Sequence, residues 1–273
     1  MPVNYDVKKI GSNMKVTVAA MSGWFEGLSH IEMVEQVAAY GFPAFERLDA
    51  CKWEDKEAVR DKCRELGVRV GAISCSGTIK GDGPVNPAFH PTFVQETKNA
   101  IQNAKLLGSD VVLALTGALR SDMSFEQQMA NVATASKLVA PYLEDAGVTL
   151  VWELLNIKVN HAGYALVYSK DGAELVRAVG SPNVKMLFDI YHQQISEGDV
   201  IRNLTDYAAE IGHYHFGDNP GRHEPGTGEL NYKNIFKAIA ATGYTGIVSS
   251  EFSKTPECTV DALMSILADC ATW

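Results

Sequence analysis

Glu153 in VTLVWELLN, Asp189 in VKMLFDIYH, His215 in HYHFGD and Glu251 in GIVSSEF stand where four apolar, β-rich runs end. Three carboxylates and one imidazole make an oxygen-rich donor set, suited to an octahedral divalent ion such as Mn²⁺, Mg²⁺ or Co²⁺ rather than to a thiolate-seeking metal. Glu153 sits among Val151, Trp152, Leu154 and Leu155, and Asp189 follows Met186, Leu187 and Phe188. Burying such a carboxylate is costly unless something partners it, and a shared cation would do so. The set points to a metal-assisted enzyme. The simpler alternatives are an N-cap for Asp189 and a surface ion pair between Glu251 and Lys254, the latter worth under ~1 kcal/mol.

Further residues gather around these four. His213 alternates with Tyr214 and so shares a strand face with His215. His192 follows Asp189 by about one helical turn and is placed to bond a substrate oxygen. Arg222, His223 and Glu224 lie in the Gly/Pro-rich loop NPGRHEPGTGELNY, a stiff turn that can hold the Arg222 guanidinium for two-pronged capture of a substrate carboxylate. Glu224 and, in NIKVNHAGY, Lys158 and His161 are the other loop candidates for substrate contact. Glu46 either reaches the same pocket or pairs with Arg47.

What must position these residues is a repeating unit. Eight strand-like runs recur: KVTVAAM, GFPAFERLD, GVRVGAISC, GSDVVLALT, GVTLVWELL, GSPNVKMLFDIYH, IGHYHFGD and GYTGIVSSEF. From the second onward each follows a helix-like segment closed by a glycine, the expected left-handed stop. The runs are nearly continuous in apolar residues, as parallel strands covered on both faces require. Between them lie amphipathic segments for which Ser29, Asp55, Ser124 and Asn231 are plausible N-caps, and the tail from Thr259 reads as a last helix. Strict alternation selects a parallel sheet with right-handed crossovers. KVTVAAMSGWFEG carries no GxGxxG, which disfavours an open dinucleotide-binding sheet. At 273 residues, with no linker, the chain fits one (β/α)₈ TIM barrel domain over residues 1–273, with strand C-terminal ends facing the active site. The polar stretch 76–91 is expected as a loop over that face.

The net charge of −9 and the absence of any basic cluster beyond Lys8-Lys9 disfavour nucleic-acid binding, and a small polar substrate fits better. Five cysteines without CxxC spacing argue against a disulfide framework and a structural zinc site. No apolar stretch approaches ~18 residues, so neither membrane spanning nor export is expected, and the compartment expected is the cytoplasm. Oligomeric state stays open, a homo-oligomer included. Trp24, Phe25 and Trp53 read equally as pocket walls and as subunit contacts.

The blocks ELLN, FDIYHQQISEGD, GHYHFGDNPGRHEPGTGELNY and the terminal SSEF resemble the hydroxypyruvate isomerase group of the xylose isomerase-like barrel superfamily, in strand order from about Lys15 to Glu251. The resemblance implies that Glu153, Asp189, His215 and Glu251 hold a divalent ion, with Glu153 and Glu251 as proton acceptor and donor. It further implies aldose–ketose exchange through an enediolate, on hydroxypyruvate, tartronate semialdehyde or a related oxo-acid. His215 stands where that group usually has Gln and Leu155 where it has Pro; His215 is closer to ketose 3-epimerases and inosose-processing relatives. A ketose 3-epimerase or inosose-type isomerase or dehydratase is therefore the alternative, and a metabolite-binding barrel without turnover is the alternative of another class.

Overall fold

The computed structural model describes residue 10 and residues 14–21, 24–25 and 27–273. Lys8, Lys9, Ser22, Gly23 and Glu26 lie outside the described residues. From β1 (Thr17–Met21) the chain passes through α1 (His30–Ala39), β2 (Ala44–Glu46), α2 (Lys56–Leu66) and β3 (Arg69–Val70). Next come β4 (Ile73–Ser74), α3 (His90–Leu107), β5 (Val111–Ala114), α4 (Phe125–Ala146), β6 (Thr149–Glu153) and α5 (Ser169–Val179). Then β7 (Val184–Asp189), α6 (Ile190–Ser196), α7 (Val200–Asp206), β8 (Ile211–Phe216), α8 (Tyr232–Ala241), β9 (Ile247–Ser250) and α9 (Val260–Cys270) follow.

Two compact units result, one formed by the residues up to Gly71 with Phe216–Trp273, the other by Ala72–His215. In the first, strands run parallel in the order β3-β2-β1-β9, with Ala19 opposite both Ala44 and Ser249. In the second, β4 to β8 lie side by side in chain order, all parallel. The continuous apolar runs are explained by burial on both faces: Leu150, Val151 and Trp152 of β6 are all solvent-inaccessible. Trp152 stacks on Phe93 of α3 at 5.4 Å and donates its indole N–H to the Ser136 hydroxyl of α4. That pairing satisfies the one polar group a buried Trp brings with it.

Local signals are realised where the chemistry is local. Gly67, Gly108, Gly147 and Gly180 close α2 to α5 in the left-handed region. Gly212 does not: it lies within β8, where a Cβ would meet that of Lys185 at 2.7 Å, so its role is close packing. Ser29 and Ser124 form full capping boxes with Glu32 and Gln127, and Asn231 caps α8. Asp55 precedes α2 without capping it, because its carboxylate bonds His30 Nδ1 at 2.8 Å instead. The run GVRVGAISC is two strands rather than one, so nine strands are seen among the described residues where eight runs were expected. The Gly71 N–H bonds Phe45 of β2, whereas the Cys75 N–H bonds Leu113 of β5. Glu46 lies against the break, since a Cβ on Gly71 would fall 2.2 Å from its Oε2.

Candidate metal centre

In the second unit, three of the expected ligands meet. Asp189 and His215 end β7 and β8 as directly opposed residues, and Glu153 ends β6 opposite Leu187, two residues before Asp189. Even spacing puts all three on one face of the sheet. Asp189 and His215 have no solvent exposure and Glu153 has 6%. Each offers one ligand atom within 4.8 Å of the others, and His215 Nδ1 lies 3.7 Å from Glu153 Oε1. Two carboxylates and an imidazole buried this closely make a donor set that a divalent cation fits, because its charge offsets the cost of confining both carboxylates together.

Supporting contacts fix these side chains. Asp189 divides its carboxylate: Oδ1 accepts the Tyr191 and His192 N–H groups at 2.9 and 3.4 Å as N-cap of α6, while Oδ2 lies 3.6 Å from His192 Nε2. The N-cap expectation for Asp189 is thus met. Glu153 is anchored through its backbone. The buried Tyr164 hydroxyl donates to the Glu153 carbonyl at 3.0 Å and accepts the Thr116 N–H at 3.1 Å. Burial pushes the Tyr164 phenol above its ordinary value, so it remains a protonated donor. Nothing in the local string GYALV announces this role. His213 is buried beneath His215, edge-on to it at 5.1 Å between ring centres.

In the first unit, Glu251 follows β9 and is met by Arg222, whose NH2 donates to Glu251 Oε2 at 2.7 Å and whose Nε donates to the Glu251 carbonyl at 3.0 Å. The Lys254 partner considered for Glu251 is displaced by this guanidinium, which grips side chain and backbone together. Arg222 itself has φ 56, a left-handed conformation that the turn must impose. The turn is organised by Asp218, a residue without solvent exposure. Its Oδ1 accepts the N–H groups of Asn219 and Leu230 at 2.9 and 3.2 Å, and its Oδ2 those of Gly226 and Gly228 at 2.7 and 3.0 Å.

Two loop candidates have partners within the protein. Lys158 donates to the carbonyls of Ile195 and Ser196, both at 2.8 Å, where a cation satisfies the C-terminal end of α6. Glu224 accepts the Thr255 N–H at 2.8 Å and the Thr255 hydroxyl, and braces the 218–230 turn against the segment after β9. Burial raises the Glu224 carboxyl, but the Thr255 donors outweigh it and leave the group below the ordinary value of 4.5. A depressed acid contributes stability that is present above 4.5 and lost as pH falls through its lower folded value. Urea midpoints should therefore show wild type ahead of Glu224→Gln at neutral pH, with the gap closing on acidification below that value.

Other expectations resolve as follows. Arg47 bonds Asp49 at 3.0 Å, while Glu46 is buried. The 76–91 stretch is tied to the end of β5: Val85 N–H bonds the Thr116 carbonyl and Ala118 N–H that of Gly81. Trp24 and Phe25 are buried, with the Trp24 indole bonded to the Phe252 carbonyl and its ring 4.9 Å from that of Phe252; Trp53 stacks on His30. All five cysteines are free, and burial pushes the Cys63 thiol up to about 12 and Cys270 to about 11, so neither is a nucleophile at neutral pH. Among the described residues, no helix is long and apolar enough to cross a membrane.

A family model described as Xylose isomerase-like TIM barrel matches residues 34–270. The chain belongs to that family. Its fold is accordingly the xylose isomerase-like TIM barrel, and the strand ends carrying Glu153, Asp189 and His215 are those where barrels of this kind build their sites. Hydroxypyruvate isomerase of Escherichia coli K12 is 35% identical over 176 residues, which are 64% of this chain and 67% of that protein. The 2-oxo-tetronate isomerase of Cupriavidus necator is 34% identical over 166 residues, covering 61% of this chain and 64% of the relative. The matched segments thus span about two thirds of each relative's length. The crystal structure of a family 2 AP endonuclease from Brucella melitensis superposes with a TM-score of 0.82 at 23% identity, covering 93% of this chain and 98% of that one. At that identity the likeness is one of fold.

Proposed function

We propose that the chain, as one barrel domain, is a divalent-metal-dependent isomerase of a small hydroxy-carbonyl acid, of the hydroxypyruvate or 2-oxo-tetronate kind named for its relatives. The observation that carries this is the buried Glu153, Asp189 and His215 group, with donor atoms within 4.8 Å at the ends of three adjacent strands. Glu251 is taken as the fourth ligand. A Mn²⁺, Mg²⁺ or Co²⁺ ion bound there supplies Lewis acidity at the oxygens of the hydroxy-carbonyl unit and offsets the negative charge of the enediolate.

The chain's own residues do the rest. Glu153 and Glu251 take the proton from one carbon and return it to the neighbouring one. Arg222 holds Glu251 Oε2, which fixes that carboxylate's rotamer. Its guanidinium also draws in the substrate carboxylate. His192 donates to a substrate oxygen beside Asp189. The matching names of two relatives support the isomerase class, and the oxygen-rich donor set supports the ion.

The test is metal analysis of the purified protein, then NMR in D₂O with a panel of small hydroxy-carbonyl acids and ketoses. Deuterium should enter at the two adjacent carbons of an oxo-acid's hydroxy-carbonyl unit, and the exchange should stop after EDTA and return with added metal. Arg222→Ala should lose at least tenfold in kcat/KM on acids, since a charge-assisted bond is worth roughly 1.5–3 kcal/mol. Full activity after EDTA, or unchanged kcat/KM in Arg222→Ala, defeats the proposal. Exchange at C3 of a ketose instead identifies the epimerase.

A further inference from the structure

We infer that Asn156 is a positioning residue that fixes the tautomer of His192, making His192 a permanent hydrogen-bond donor through Nε2. The inference deepens the proposed function, because it states which substrate oxygen this site accepts. Asn156 follows Glu153 by one turn of loop, and both Asn156 and His192 are wholly buried.

The direction of the Asn156 amide is not a free choice. Its Oδ1 accepts the backbone N–H groups of Val159 and Asn160 at 3.0 and 3.2 Å. Those partners can only donate, so the oxygen must face them and Nδ2 must face the other way. Nδ2 then meets His192 Nδ1 at 2.6 Å and Asn160 Oδ1 at 2.9 Å. Asn160 Oδ1 also accepts the Tyr191 hydroxyl at 3.0 Å. The backbone N–H of Asn156 points at the same His192 nitrogen from 3.3 Å. Two donors converge on Nδ1, and a proton there would oppose both. A neutral imidazole carries one N–H, which is therefore on Nε2, the nitrogen 3.6 Å from Asp189 Oδ2.

The consequence is a polarity rule for the substrate. The group placed against His192 must accept a hydrogen bond, as a carbonyl, carboxylate or ionised hydroxyl oxygen does. A group able only to donate is refused, since burying an unpaired N–H against it is penalised. Asn156 thereby acts on recognition without touching substrate.

The experiment is long-range ¹H–¹⁵N NMR of the metal-free full chain with ¹⁵N-labelled histidine, the His192 ring being assigned by its loss in His192→Gln. Wild type should show Nδ1 in the unprotonated range and Nε2 protonated. Asn156→Asp replaces the donor by an acceptor and should move Nδ1 into the protonated range. Asn156→Ser, the milder change, should leave the circular dichroism intact yet lower kcat/KM roughly 10- to 100-fold, chiefly through KM, as loss of an orienting partner of a site histidine does. A wild-type proton on Nδ1, or a folded Asn156→Ser enzyme with unchanged kinetics, overturns the inference. The tautomer is read without substrate, so a failure of the isomerase proposal leaves this arm standing and distinguishable.

Discussion

Glu153→Gln is expected to lower turnover by roughly 10²–10⁴-fold, the range over which a positioned general base acts, while the melting temperature stays near that of wild type. The substitution keeps the side chain's shape and removes only its capacity to hold a proton and a full negative charge. The backbone anchor is untouched, because the Tyr164 hydroxyl bonds the Glu153 carbonyl and not the carboxylate. Loss of charge next to Asp189 and His215 also reduces cation affinity, so the assay is run at saturating metal and the bound ion counted. A fully loaded Glu153→Gln enzyme turning over within tenfold of wild type would remove Glu153 from proton transfer and leave it as a ligand only.

The second large effect is on stability. Asp218→Ala should cost about 3–5 kcal/mol in urea or guanidinium unfolding, because it strips the acceptor from the N–H groups of Asn219, Gly226, Gly228 and Leu230 at once. Asp218→Asn retains one acceptor oxygen and should lose about half as much. Activity should fall in both, since the turn holds Arg222 at φ 56 and, through it, Glu251. An Asp218→Ala protein within 1 kcal/mol of wild type would show that water replaces the carboxylate in this turn.

These two residues mark what a reader of the sequence alone sees and does not see. Glu153 is visible because VTLVWELL is apolar on both sides of it and a buried carboxylate there demands a partner. Asp189 is visible for the same reason, His215 through the company of these two carboxylates, and the serine caps and glycine stops because their partners lie within four residues. Asp218 is invisible: in FGDNPG it looks like an ordinary turn residue, and its four partners are set by a loop that closes up to twelve residues later. Lys158 and Glu224 are candidates for substrate contact on charge and loop position, and the partners they hold in the fold stand 37 and 31 residues away in sequence. Such distant contacts leave no periodicity. The interruption of GVRVGAISC at Gly71 is similar, since it is Glu46 from another strand that packs against that glycine.

Tyr164 clamps the Thr116 amide and the Glu153 carbonyl with one hydroxyl, and Asn156 pins the first turn of the intervening loop. Between these fastenings, Ile157 and Val159 are exposed, at 37% and 69%. Changes of side chain at Ile157 and Val159 need not disturb the Glu153 strand end, because Asn156 holds this span by the Val159 backbone N–H. Their exposed side chains let the surface of this loop vary while its main chain stays anchored.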